Sequence, residues 1–133
     1  MRYWRSALLA LLTATGCASA PQGEPGTFRR LATDAVMGMR GGDYVHRIIE
    51  MNTSPDERVA CGTMNTRRFA NVFAVVLDRP YPNHTTVEVK ALPDFGPNPT
   101  PETRERVGRE VLQMLGEIER TCRDAGAALP NHL

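Results

Sequence analysis

A chain of 133 residues is one domain of ordinary size, large enough to bury a core of its own. Its 16 basic and 15 acidic residues nearly cancel, which gives no reason to expect nucleic acid or an anionic surface as partner. Lys90 is the only lysine, a bias that reads as genomic base composition rather than function.

The chain starts MRYWRSALLALLTATGCASA. Arg2 and Arg5 make a short positive start, a mostly apolar run from Ala7 to Leu12 follows, and Ala14, Thr15 and Gly16 lead into Cys17. That is the three-part layout of an export signal. The apolar run is far shorter than the ~20 residues needed to cross a bilayer, so a transmembrane helix is not expected. Thr13-Ala14-Thr15-Gly16-Cys17 resembles the lipobox of bacterial lipoproteins, with Ala14 where Leu is commonest. The resemblance covers only the leader. It implies cleavage after Gly16, a diacylglyceryl group on Cys17 and acylation of the new N-terminus. Ala18, rather than Asp, follows the cysteine; by resemblance to enteric-type lipoproteins this implies an outer-membrane address facing the periplasm. The alternative is an ordinary signal peptide cleaved after Ala18 or Ala20. Removing residues 1–16 leaves 117 of the 133, and the loss of two arginines leaves 14 basic against 15 acidic residues.

Residues 18–27, ASAPQGEPGT, are small, polar and broken by Pro and Gly, so the segment 17–27 is expected to be a lipidated cysteine and flexible tether ahead of a single domain over 28–133. Phe28, Leu31, Ala35 and Met39 recur at helical spacing with Val36 beside them, Thr27 can cap the start, and Gly41-Gly42 can stop the helix. Tyr44–Met51 is β-rich with imperfect alternation, as an edge strand would be. A turn over 52–57 leads to Arg58–Met64, where Val59, Cys61 and Thr63 share one face. After a tight turn over 65–68, Phe69–Leu77 reads FANVFAVVL, apolar on both parities and hence a central strand covered on both faces. A turn over 79–84 precedes Thr85–Leu92, which places Val87, Val89 and Ala91 on one face and Glu88 and Lys90 on the other. The proline-rich connection 93–99 leads into the longest helix, with Thr100 as N-cap, Pro101 at its first position and a stripe of Val107, Val111, Met114, Leu115, Ile118 and Cys122. Gly126 is expected to end it, and residues 127–133 to form a frayed tail. The class is therefore α+β: a four-stranded antiparallel meander flanked by an N-terminal and a longer C-terminal helix, in a two-layer sandwich.

Three cysteines are an odd number for an exported protein, but assigning Cys17 to lipid leaves an even pair. Cys61 sits on the apolar parity of its strand and Cys122 on the apolar stripe of the last helix, so a disulfide is expected in an oxidising periplasm, against the alternative of two buried free thiols. Cys61-Gly62-Thr63-Met64-Asn65 resembles a Cys-Gly-x-x-Asn strand in small exported bacterial proteins of unknown function, which also tend to have a late cysteine; this resemblance implies no activity.

His46, His84 and His132 have no metal-ligand spacing and no cluster completes a site, so neither metal nor cofactor is expected. His46 reads as packed or solvent-facing, and His132 lies in the tail. Of the mature serines, Ser19 and Ser54, neither occupies a G-x-S-x-G elbow. Gly38 to Gly42 lacks the lysine and helix that follow a phosphate-binding loop. Asp94 could serve in an acid–base pair but reads as a solvated turn carboxylate. Asp56 and Glu57 read the same way, although either one with His84 would form the acid–base pair of a small periplasmic hydrolase. In a meander, turns 52–57 and 79–84 share one end of the sheet, which offers Arg79, Tyr81 and His84. The other end collects residues 40–43, 65–68 and 93–99, and offers Arg67, Arg68 and Phe95. Loop arginines and aromatics are typical interface anchors, though such a Tyr or Phe can equally lie over the core edge. The favoured reading is a non-enzymatic envelope lipoprotein that binds or assembles with an envelope protein. The alternatives are an inhibitor or immunity-type lipoprotein blocking an envelope enzyme, and the hydrolase.

Overall fold

Thr27 opens the first helix, its side-chain oxygen accepting a hydrogen bond from the Arg30 amide at 3.2 Å. The computed structural model describes residues 23–130; the leader, Cys17 and His132 lie outside them. Helix α1 runs Phe28–Met37 and buries Phe28, Ala32, Thr33 and Val36. The buried line steps by four residues from Phe28, so Leu31 and Ala35 flank it rather than lead it. The helix stops earlier than expected because Gly38 takes the C-cap, donating its N–H to the Asp34 carbonyl at 2.9 Å. A 3-10 turn over Met39–Gly42 follows.

Strands β1 (Val45–Thr53), β2 (Val59–Thr66), β3 (Ala70–Leu77) and β4 (Val87–Ala91) form an antiparallel sheet in chain order. β1 is an edge, as its broken alternation suggested, and its register against β2 shifts twice, between Val45 and Arg47 and between Ile48 and Glu50. Gly62 makes the second shift possible. A Cβ there would lie 2.1 Å from the Glu50 carbonyl oxygen and 2.7 Å from the Phe73 ring, so only glycine lets both approach.

Helix α2 spans Pro101–Ala125, capped by the Thr100 side chain and ended by Gly126 in the left-handed conformation at φ 72°. The α+β class and the order helix, four strands, helix are as read from the sequence, but the helices divide between the two faces. The sheet is the middle of three layers rather than one of two. Ala60, Met64, Phe73, Val75 and Leu77 meet α1, while Val59, Cys61, Val72 and Ala74 meet Ile118 and Cys122 of α2. The cause lies in β2 and β3, which are apolar on both parities: helices on a single face would leave half of those side chains in water.

Cys61 and Cys122 are bonded, with Cα atoms 6.1 Å apart, joining β2 to α2 across 61 residues of sequence. Closing a loop of that length restricts the unfolded chain enough to stabilise the fold by about 4 kcal/mol. Lys90 on β4 donates a hydrogen bond to Glu117 on α2 and lies 3.6 Å from Glu88. The bond to Glu117 raises the pKa of the lysine, and the same bond lowers that of Glu117. The sole lysine is thus a strut between sheet and helix.

The chain after α2 corrects an expectation. It does not fray over 127–130: Ala127 is buried, Leu129 packs against the α2-side core, and the Ala128 carbonyl accepts from the Asn52 side-chain Nδ2 at 2.9 Å. The left-handed Gly126 turns the chain back onto the end of β1 and β2, where apolar surface remains to be covered. None of the described helices is long and apolar enough to cross a membrane.

Candidate functional site

The turns collect at opposite ends of the sheet. At the first end, the Tyr81 amide donates to the Glu57 carbonyl at 3.0 Å, tying the 79–84 turn to the 54–58 turn. Ser54 is buried, donates to Asp56 at 2.6 Å and accepts from the Val59 amide at 2.9 Å, so Asp56 serves the turn itself. The Thr85 hydroxyl and the Thr85 and Thr86 amides all donate to Asp78, and these bonds hold its carboxyl well below the usual carboxylate range. Tyr81 donates its hydroxyl to the Gly26 carbonyl, places its ring 6.3 Å from Phe28 and stacks on His84 at 5.6 Å. The structure therefore brings Tyr81 and His84 together, but as a clasp over the start of α1. Arg79 is exposed on the same turn. The His84 Nδ1 atom is buried without a partner, and its ring faces Tyr81 rather than a carboxylate. This is the closed end.

At the other end, the 3-10 turn, the 66–69 turn and the connection after β4 surround a cleft of about 380 Å³. Arg40, Arg67 and Arg68 line it, with Asp43, Tyr44 and Asp94. Arg40 has left-handed backbone angles, φ 49° and ψ 40°, uncommon for a residue of its bulk. Its guanidinium lies 4.2 Å from the centroid of the Tyr44 ring, a cation–π distance. The Tyr44 hydroxyl is buried and has no hydrogen-bond partner. Thr66 fixes the neighbouring turn: its Oγ1 accepts from the Arg68 amide at 3.3 Å and the Phe69 amide at 3.1 Å, and donates to the Phe69 carbonyl at 2.8 Å. Arg67 and Arg68 are thereby held in sequence at the rim. Asp94 accepts from the Gly96 amide at 3.0 Å and lies 3.7 Å from Arg68.

Beside the cleft is an apolar hollow of about 350 Å³, lined by Phe69, Leu92, Pro93, Phe95 and Val111 and bordered by Asp94. Asn71 sets its wall. This fully buried amide donates to the Leu92 carbonyl and accepts from the Leu92 amide, both at 3.1 Å, so it continues the ladder where β4 leaves the sheet. Phe95 is 41% exposed at the rim. This is the open end.

Of the sequence-derived candidates, Arg67, Arg68 and Phe95 are drawn together around Asp94, while Arg79, Tyr81 and His84 share the opposite end. Sequence reasoning missed Tyr44 and Asn71, and offered Asp94 only as an acid–base group. The one available signal was Asn71, the single polar residue in FANVFAVVL. Among the described residues, no three of His, Cys, Asp and Glu gather as metal ligands. Comparison with known protein families, with characterised proteins and with solved structures gave no match.

Proposed function

We propose that the chain is a small envelope lipoprotein, held by lipid at Cys17 to the outer membrane and facing the periplasm, which works by contact with a partner protein rather than by catalysis. One observation carries the contact reading: three arginines and an apolar hollow lie side by side at the open end of a disulfide-braced scaffold. Guanidinium forks beside an apolar recess are recognition chemistry, because they supply charge, directional donors and burial without a reacting group. The anchor reading rests on the lipobox-like Thr13–Cys17 segment and its short apolar run.

The test has two arms. Wild-type protein should fractionate with membranes and incorporate labelled palmitate, and Cys17→Ser should do neither. In situ crosslinking should recover an envelope partner, and Arg67→Ala combined with Phe95→Ser should abolish that recovery while circular dichroism stays unchanged. The contact reading falls if the double variant recovers the partner normally and His84→Ala instead removes a measurable hydrolytic turnover.

A further inference from the structure

We infer that the open end receives a short acidic segment of a soluble partner protein, with an apolar side chain of that segment seated in the hollow, and that it does so on the side of the domain turned away from the lipid anchor. This rests on the contact reading above and names the chemistry of the partner.

Charge decides the first part. Three arginines, Arg40, Arg67 and Arg68, line the cleft against two carboxylates, Asp43 and Asp94; Asp94 pairs with Arg68 at 3.7 Å, which leaves Arg40 and Arg67 against Asp43. The cleft therefore has positive charge to spare in a chain that is almost neutral. Planar guanidinium groups favour carboxylates, which accept two parallel N–H bonds.

The hollow decides the second part. Its volume of about 350 Å³ sits at the small end of ligand pockets, which run from roughly 300 to 1,000 Å³. That suits a side chain or two rather than a long acyl tail. The hollow shares Asp94 with the cleft, so a residue entering it would follow or precede one whose carboxylate meets the arginines.

The chain path decides the third part. The described chain starts at Gly23, and Tyr81 fixes the Gly26 carbonyl at the closed end. The stretch from Cys17 to Gly23 can reach at most about 20 Å. The strand Ala70–Leu77 puts a further ~27 Å between the two ends. A lipid at Cys17 would thus attach the domain by its closed end, opposite the cleft, which leaves the open end accessible to a soluble segment.

The experiment pans a random heptapeptide phage library on the full chain held in lipid nanodiscs. Enriched peptides should carry Asp or Glu next to an aromatic or aliphatic residue. A synthetic peptide of the enriched consensus should lose at least tenfold in affinity with Arg67→Ala plus Arg68→Ala, and at least tenfold with Phe95→Ser, but be unaffected by Arg79→Ala. Charge reversal, Arg67→Glu plus Arg68→Glu, should turn the selection toward basic peptides, which shows that the variant remains folded. Absence of enrichment, a consensus without acidic residues, or indifference to the paired arginine substitutions would overturn the inference. So would binding of the Cys17→Ser protein to phosphatidylglycerol vesicles through the same arginines, since the occupant would then be a membrane. If a crosslinked partner is lost with Arg79→Ala but not with Arg67→Ala plus Phe95→Ser, contact stands and this placement of it fails.

Discussion

The two ends of the sheet are built from the same kinds of residue and treat them differently. At the closed end the turn groups mostly meet a neighbour: Tyr81 meets Gly26, Phe28 and His84, and Asp78 meets Thr85 and Thr86, while Arg79 stays exposed and the His84 Nδ1 stays without a hydrogen-bond partner. At the open end the turns are equally well fixed, by Thr66 and by Asn71, yet the groups they carry are left facing a cleft. The contrast shows that turn residues alike in sequence are either engaged by the adjoining loops or left lining a cleft, according to what those loops bring near them. Tyr81 and Arg67 are alike as loop residues in sequence, but the first is engaged by the chain and the second lines the cleft.

The largest expected effect falls on the scaffold that both ends share. Cys122→Ala should lower stability by about 4 kcal/mol, read from urea midpoints, because it frees a long loop in the unfolded chain. A loss under about 1 kcal/mol would mean that the two helix layers hold the sheet without the bridge.

Next comes Asn71→Ala, which strips the Leu92 amide and carbonyl of their partner inside the protein. Leu92 is half-buried, so each lost bond should cost about 0.5–1.5 kcal/mol, for a loss of roughly 1–3 kcal/mol. Capture of the partner should weaken as well, since the wall of the hollow is released. If capture is unchanged in the folded fraction, the hollow does not take part in binding.

Tyr81→Phe is the counterpart at the closed end. It keeps the ring against Phe28 and His84 and removes only the hydroxyl bond to Gly26, for a cost of about 1 kcal/mol. Partner capture should be untouched. A marked fall in capture with normal stability would return Tyr81 to the list of binding anchors and erase the difference between the ends.

Acid should have the gentlest effect. Asp78 and Glu117 both have folded pKa values below their unfolded ones. Such groups contribute stability that is complete above the unfolded value and fades as pH falls through the folded one. Lys90 shares its bond with Glu117, so that one contribution is lost at both extremes: in acid when Glu117 is protonated, and at strongly alkaline pH when Lys90, whose pKa is raised, gives up its proton. The melting temperature should therefore hold from neutral pH down to about 5 and decline below about 4. Asp78→Asn should flatten that decline; an acid arm of unchanged slope would show that the closed-end clasp does not depend on this carboxylate.

Much of the fold was legible because its causes are local. Thr27, Thr100, Pro101 and Gly126 mark helix limits through their own backbone chemistry, and FANVFAVVL declares a strand buried on both faces. The misreading of the tail arose where a local rule met a distant contact: the segment expected to fray is held at Ala128 by an asparagine 76 residues away.

By itself the sequence determined the order of elements, the meander, the central place of β3 and the pairing of Cys61 with Cys122, since periodicity, caps, turn residues and parity are properties of short stretches. Only the tertiary structure decided that the two helices take opposite faces, that Lys90 braces β4 to α2, and that Arg40, Arg67, Arg68 and Asp94 surround one cleft while Tyr81 and His84 close upon each other. Parity separates the two faces of a strand but cannot say which helix lies over which. Whether a polar group is satisfied or left over depends on partners that meet only when the chain has folded.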